Sequence, residues 1–180
     1  MTMELKSYNF DLWISITGHR IIRIDDLSAI KAEISKRLIK LKEKYQGQSI
    51  CLLSGLAEGA DRLVVEIGLQ LGIPYKAILP MAFSKYIADF ETQASLDEFN
   101  YLLKQAISIE VLPTITQLTD ENRNLCYQQL AVYLANNTDV LMALWDGDTT
   151  EKPGGTSQVV RYFREINPNN ECFEHILTRR

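Results

Sequence analysis

The feature that most constrains this chain is an alternation. Short apolar runs rich in β-branched residues recur between stretches with helical spacing. "DLWISIT" (11–17), "SICLLS" (49–54), "PYKAILP" (74–80), "ISIEVLP" (107–113) and "TDVLMALWDG" (138–147) read as strands. In "DDLSAIKAEISKRLIKLKEKY" (25–45), Leu27, Ile30, Ile34, Leu38 and Leu41 fall on one helical face, and Asp25 or Asp26 is placed to cap its start. "GADRLVVEIGLQLG" (59–72) is a helix with Gly72 placed to end it. "ETQASLDEFNYLLKQA" (91–106), "ENRNLCYQQLAVYLANN" (121–137) and "GTSQVVRYFREI" (155–166) are further helices, and "CFEHIL" (172–177) is a candidate sixth strand. Strands alternating with helices imply βα crossovers and a parallel sheet. Near-continuous Ile, Leu and Val in those strands imply a sheet covered on both faces. The expected fold class is α/β: a Rossmann-like three-layer α/β/α sandwich with a mostly parallel sheet of five to six strands.

The 180 residues fit one domain, 1–180, long enough to bury a core. No repeat, low-complexity segment or domain boundary stands out. The ending "FEHILTRR" stops soon after the last strand, which suits one domain of a longer protein. The net charge of −4 sets aside a surface built throughout for duplex DNA and leaves room only for a local basic groove. Cys51, Cys126 and Cys172 are scattered and odd in number, as expected of reduced thiols in a cytoplasmic protein. Two histidines, His19 and His175, are too few for a His-rich metal site, so neither metal nor cofactor is expected. Glu4 and Asp11 break any secretory signal pattern. No apolar run approaches the roughly 18 residues needed to span a membrane.

Ligands of open parallel sheets bind at the carboxyl ends of the strands. The unusual residues gather there. Gly18, His19 and Arg20 follow the first strand, "SGLAEGADR" (54–62) the second, and "WDGDTTEKPGGT" (145–156) the fifth. Gly55 and Gly59 let backbone approach a ligand, and a helix start supplies free N–H groups. Glu58 and Asp61 suit ribose hydroxyls; the plainer alternative is that Asp61 caps its own helix and Glu58 is solvated. Gly154, Gly155 and Thr156 suit a phosphate at a second helix start, or form an ordinary Pro-Gly turn. Arg20 is the natural phosphate partner, with Gly18 making room. His19 can stack on a base, donate to phosphate or bond a backbone carbonyl. Asp146 completes the set of candidate ligand-binding residues. Trp145 and Tyr86 suit base stacking or core packing equally.

These residues resemble the SLOG superfamily. It groups LOG-type nucleotide phosphoribohydrolases, DNA-processing protein A, and ligand-sensing domains of melastatin-type TRP channels and bacterial defence systems. The resemblance covers about residues 12–166 and rests on four segments in order. "TGHR" is similar to one branch, and "LSGLAEGADRLVVEIGLQLGIP" to the SGxAxGxD segment of the DNA-processing proteins. "YIADF" (86–90), with Asp89 and Phe90, resembles a loop of the TGHR branch, and "VLMALWDGDTTEKPGGTSQVV" a region ending in a GGT turn. One departure matters. LOG enzymes carry PGGxGTxxE, whose Glu serves cleavage of the N-glycosidic bond. Here the position three after Thr156 is Val159, which can neither exchange a proton nor steady a sugar cation.

The resemblance implies a domain that senses a nucleotide-derived ligand, of ADP-ribose, cyclic ADP-ribose or NAD type, in a signalling or defence assembly. It also implies a homo-oligomer and an effector domain or partner protein. The alternative is a LOG-type phosphoribohydrolase or nucleosidase, with Glu58 or Asp61 as candidate catalytic carboxylate. Single-stranded nucleic-acid binding ranks lower. The acidic balance argues against it, as does the lack of an aromatic-and-basic stripe.

Overall fold

The computed structural model describes residues 9–113, 119–150, 152–168 and 171–179. The strands are β1 (Leu12–Gly18), β2 (Ile50–Ser54), β3 (Tyr75–Leu79), β4 (Ser108–Val111), β5 (Val140–Trp145) and β6 (Phe173–Leu177). The helices are α1 (Leu27–Lys44), α2 (Ala60–Gln70), α3 (Phe83–Tyr86), α4 (Gln93–Leu103), α5 (Asp120–Asn136) and α6 (Thr156–Ile166). One six-stranded sheet has the order β4-β3-β2-β1-β5-β6, and every pairing is parallel. This is the expected Rossmann-like α/β/α fold, and "CFEHIL" is its sixth strand.

The chain builds outward from β1 to β4, then crosses back to lay β5 on the other side of β1. Right-handed crossovers therefore put α1, α2 and α4 on one face and α5 and α6 on the other. The core is split accordingly. One cluster joins Ile14, Ile16, Ile34, Leu38 and Val64, and the other joins Leu141, Ala143, Trp145, Val160 and Phe163. Alternate residues of β1 and β5 supply the two faces. The direction of winding reverses between β1 and β5, and their carboxyl ends open a crevice there.

Helix α1 buries Ile30, Ile34, Leu38 and Leu41, as the spacing predicts. Its start differs from expectation. A 3-10 turn over Ile24–Asp26 leads in, and neither aspartate side chain caps the helix. Helix α4 starts after Thr92 because its hydroxyl accepts the Ser95 N–H at 3.1 Å. "YIADF" (86–90), which resembles a loop in sequence, instead begins at the end of a turn of helix (α3) and runs through a 3-10 turn over Ile87–Asp89, with Tyr86 fully buried. Among the described residues no helix is long and apolar enough to cross a membrane. Glu4 lies outside the described residues, as does Glu151 of the "WDGDTTEKPGGT" loop.

Candidate ligand-binding site at the sheet switch point

A cavity of about 530 Å³ opens where β1 and β5 end. That lies within the range of about 300–1,000 Å³ typical of small-molecule sites. Its rim carries Gly18, His19, Arg20 and Asp61 on one side and Lys152, Gly154, Gly155, Thr156 and Ser157 on the other. Tyr86 and Tyr127 form a third wall, and Trp145 joins residues of α5 and α6 in the lining.

The β1 loop is fixed by backbone. The His19 N–H donates to the Leu144 carbonyl at 2.9 Å, and the His19 carbonyl accepts the Ala60 N–H at 3.0 Å. The loop after β1 is thus stitched to both β5 and the start of α2. The His19 ring is buried, with Nδ1 3.1 Å from the Thr178 hydroxyl and Nε2 3.4 Å from Asp146 Oδ1. It bridges the ends of β5 and β6 rather than pointing freely at a ligand.

Arg20 is exposed at the rim. Its Nη2 donates to the Tyr127 hydroxyl at 3.2 Å, and its guanidinium sits 5.6 Å from that ring's centre. Tyr127 in turn donates to Asp89. Burial, then this bond to Asp89, pushes the Tyr127 hydroxyl up to about 12, so it remains a donor. Arg123 closes the chain, its Nε donating to Asp89 at 2.9 Å and its Nη2 to the Lys85 carbonyl at 2.7 Å. Helix α5 thereby holds the Phe83–Asp89 segment, and Arg20 rests on the result.

Asp61 lies on the rim but is buried, and its Oδ2 accepts the Ser54 hydroxyl at 3.2 Å and the Ala57 N–H at 3.4 Å. Burial raises its carboxyl to about 6, against partial relief from Ser54 and backbone N–H groups. It does not cap its own helix, because it reaches back across the loop.

The α6 start is organised differently. Asp146 accepts the Asp148 N–H at 3.0 Å and Asp148 accepts the Thr150 N–H at 2.9 Å, which shapes the approach. Gln158 reaches back to the Gly154 N–H at 2.7 Å. Gly154 has φ 68 and presses against Tyr127, where a Cβ would come 2.2 Å from the Tyr127 Cβ. No side chain caps Gly155, and among the described residues the N–H groups of Thr156 and Ser157 have no partner. Free N–H groups at a helix start, facing a cavity that also holds Arg20, suit an anion.

The structure thus brings Gly18, His19, Arg20, Asp61, Gly154, Gly155 and Thr156 around one cavity. It leaves Gly55, Glu58, Gly59 and Asp146 outside the lining. Glu58 accepts the Ser95 hydroxyl of α4, which turns it away from any ribose in the cavity. Gly55 offers its carbonyl to the Tyr86 hydroxyl at 2.9 Å. Gly59 lies against the His19 and Arg20 carbonyls. Gly18 does not make room for a ligand. A Cβ there would stand 2.4 Å from the Ala60 Cβ and 2.6 Å from the Leu144 carbonyl, so its space is taken by α2 and β5. Sequence reasoning did not find Tyr127 or Arg123. The available signal was their spacing with Leu130 and Leu134, which puts all four on one face of α5.

Fold and site together define a Rossmann-like α/β module with a polar-mouthed cavity at its switch point. No protein-family model matches the chain, and no curated protein does. Solved structures of DNA-processing protein A do match. That from Helicobacter pylori, described for its single-stranded DNA binding mode, is 12% identical with a TM-score of 0.57, covering 88% of this chain and 63% of that one. That from Streptococcus pneumoniae is 13% identical with a TM-score of 0.45, covering 92% of this chain and 58% of that one. The chain thus spans less than two thirds of either solved chain. The likeness establishes the fold alone. It also corrects one expectation. A matching fold that belongs to a single-stranded DNA binder means that the net charge of −4 does not set nucleic acid aside as a partner.

Proposed function

We propose that this chain binds a nucleotide unit at the switch-point cavity. The observation that carries the reading is that Arg20 and the uncapped start of α6 open into the same cavity. A guanidinium and free helix N–H groups together can hold a phosphate from two sides. Free ligands of ADP-ribose, cyclic ADP-ribose or NAD type match this chemistry, in the role of a sensor that signals to an effector domain or partner. Asp61 would accept a ribose hydroxyl. Hydrolysis of the bound nucleotide would rest on Asp61 alone, since Glu58 is committed to Ser95.

A second reading has its own support. The fold likeness to a single-stranded DNA binder favours a nucleotide held as part of a strand. Both readings use the same phosphate contacts.

A thermal-shift panel of NAD, ADP-ribose, its cyclic isomers, AMP and cyclic dinucleotides tests the first. Fluorescence polarisation with a labelled oligothymidine at low salt tests the second. A ligand at 100 times its Kd adds about 2.7 kcal/mol of stability, a clear shift. No shift with any nucleotide and no oligonucleotide complex would refute the proposal. Ribose 5-phosphate released from AMP, and lost in Asp61→Asn, would establish hydrolysis.

A further inference from the structure

Tyr127 stands between the two phosphate anchors and touches the loop that carries each. Its hydroxyl accepts the Arg20 Nη2 at 3.2 Å. Its backbone and Cβ lie under Gly154, one residue before the N-cap of α6. A Cβ at Gly154 would come 2.2 Å from the Tyr127 Cβ and 2.6 Å from its carbonyl carbon, so the turn rests directly on α5. One residue of α5 thus supports both the loop after β1 and the loop after β5.

The hydroxyl has a fixed direction. A carboxylate only accepts, so Tyr127 spends its one proton on Asp89. The lone pairs of its oxygen are left for the Arg20 N–H. Asp89 is itself held by Arg123, 2.9 Å from Nε and 2.6 Å from Nη2. The Arg123 guanidinium offsets the charge of Asp89. The link from Asp89 to Arg20 therefore passes on orientation without an ion pair, and among the described residues no carboxylate is paired with Arg20.

An unsupported arginine at the rim would be a poor anchor. Its long side chain visits many rotamers, and fixing one on binding costs affinity. Held at one nitrogen by Tyr127, the guanidinium keeps its other N–H groups for phosphate oxygens.

We propose that Tyr127 is a positioning residue of the nucleotide site. It aims Arg20 at the phosphate through its hydroxyl and seats the turn that opens α6 through its backbone. This deepens the nucleotide reading and rests on it.

Tyr127→Phe removes the hydroxyl and keeps the ring, so the seat under Gly154 stays. In the free protein, NMR relaxation should show the Arg20 Nε–H ordered in wild type and mobile in Tyr127→Phe, its order parameter falling below about 0.6. Affinity is read by calorimetry with AMP, replaced by the strongest binder of the nucleotide panel if AMP gives no shift. Tyr127→Phe should weaken binding about three- to tenfold, the size of ordering one long side chain. In an Arg20→Met background the same substitution should change affinity by less than about twofold, because the side chain it acts through is gone. The full loss in that background would mean that Tyr127 acts on the ligand or the fold instead of on Arg20, and would overturn the proposal. So would unchanged affinity in Tyr127→Phe alone, or an Arg20 Nε–H as ordered there as in wild type; nucleotide binding to wild type would then leave the site itself standing. A panel with no binder at all would overturn both.

Discussion

The loops that open α2 and α6 look alike in sequence and differ in structure. Each is a glycine-bearing turn from a strand into a helix at the carboxyl edge of the sheet. The α2 loop is filled by its own protein. Leu56 is fully buried with φ 55, held by Ser54, whose hydroxyl accepts its N–H at 3.0 Å, and by Arg62, whose Nε donates to its carbonyl at 3.1 Å. Arg62 itself is 2% exposed and lies 4.6 Å from the Phe90 ring centre, with Glu98 as its ion partner. The α6 loop is half-open and its helix start is uncapped toward the cavity. A glycine-bearing strand-to-helix turn leaves room for a ligand only where no internal group caps the helix start, as at Thr156 and Ser157.

The largest test of that contrast is Gly18→Ala. The new Cβ would meet Ala60 and the Leu144 carbonyl, both backbone-anchored. A loss of about 3 kcal/mol or more is expected in urea unfolding, the upper end of overpacking costs. A loss under about 1 kcal/mol would show that the α2 loop has slack and that Gly18 is free for a ligand after all.

Asp61 tests the same loop through pH. Burial lifts its carboxyl to about 6 in the folded chain, from 3.8 for a freely solvated aspartate. The folded state holds the proton more tightly, so this contribution to stability is full below about pH 4 and is lost as pH rises through 6. The shift corresponds to about 3 kcal/mol at most. Asp61→Asn should remove that dependence, gaining stability relative to wild type at pH 7 compared with pH 4. Parallel stability–pH curves for the two proteins would mean that Asp61 is not buried in the way described.

What the sequence made legible follows the same division. The periodicities placed every strand of the sheet, because apolar runs and helical faces are local properties. Arg20 and the Gly154-Gly155-Thr156 turn stood out for the same reason, as a cation after a strand and a glycine turn before a helix are local features, and both line the cavity. Glu58 was not, because its fate depends on Ser95, a residue of another helix. Gly18 was misread because a glycine looks the same whether a ligand or Ala60 fills its space. Tyr127 was hidden because an aromatic residue at helical spacing from Leu130 and Leu134 reads as core, and Asp89 and Arg20 give it a second task.

Arg20→Met tests the open side. The side chain is exposed, and its loss removes one cation–π contact, worth about 0.5–1 kcal/mol, and a rim hydrogen bond to Tyr127 that water replaces. Stability should therefore fall by less than about 1 kcal/mol, while AMP affinity falls by roughly 10- to 100-fold, the size of a charge-assisted bond to phosphate. Calorimetric titration separates the two effects. Unchanged affinity would move the phosphate away from Arg20 and leave the α6 start as its sole anchor.

The smallest effect is expected at Gly155, and it closes the contrast with Gly18. Gly155 has φ −76 and ψ 166, a conformation open to alanine. The new Cβ would lie 3.1 Å from the Lys152 carbonyl, a contact that an exposed loop relieves by a slight shift. Replacing an N-cap glycine by alanine costs a few tenths of a kcal/mol, and the stiffer unfolded chain returns a similar amount. Gly155→Ala should thus change stability by less than about 1 kcal/mol, measured beside Gly18→Ala in the same urea series. A loss as large as that at Gly18 would show the α6 loop to be as tightly filled as the α2 loop, and the cavity would then lose one of its two phosphate anchors.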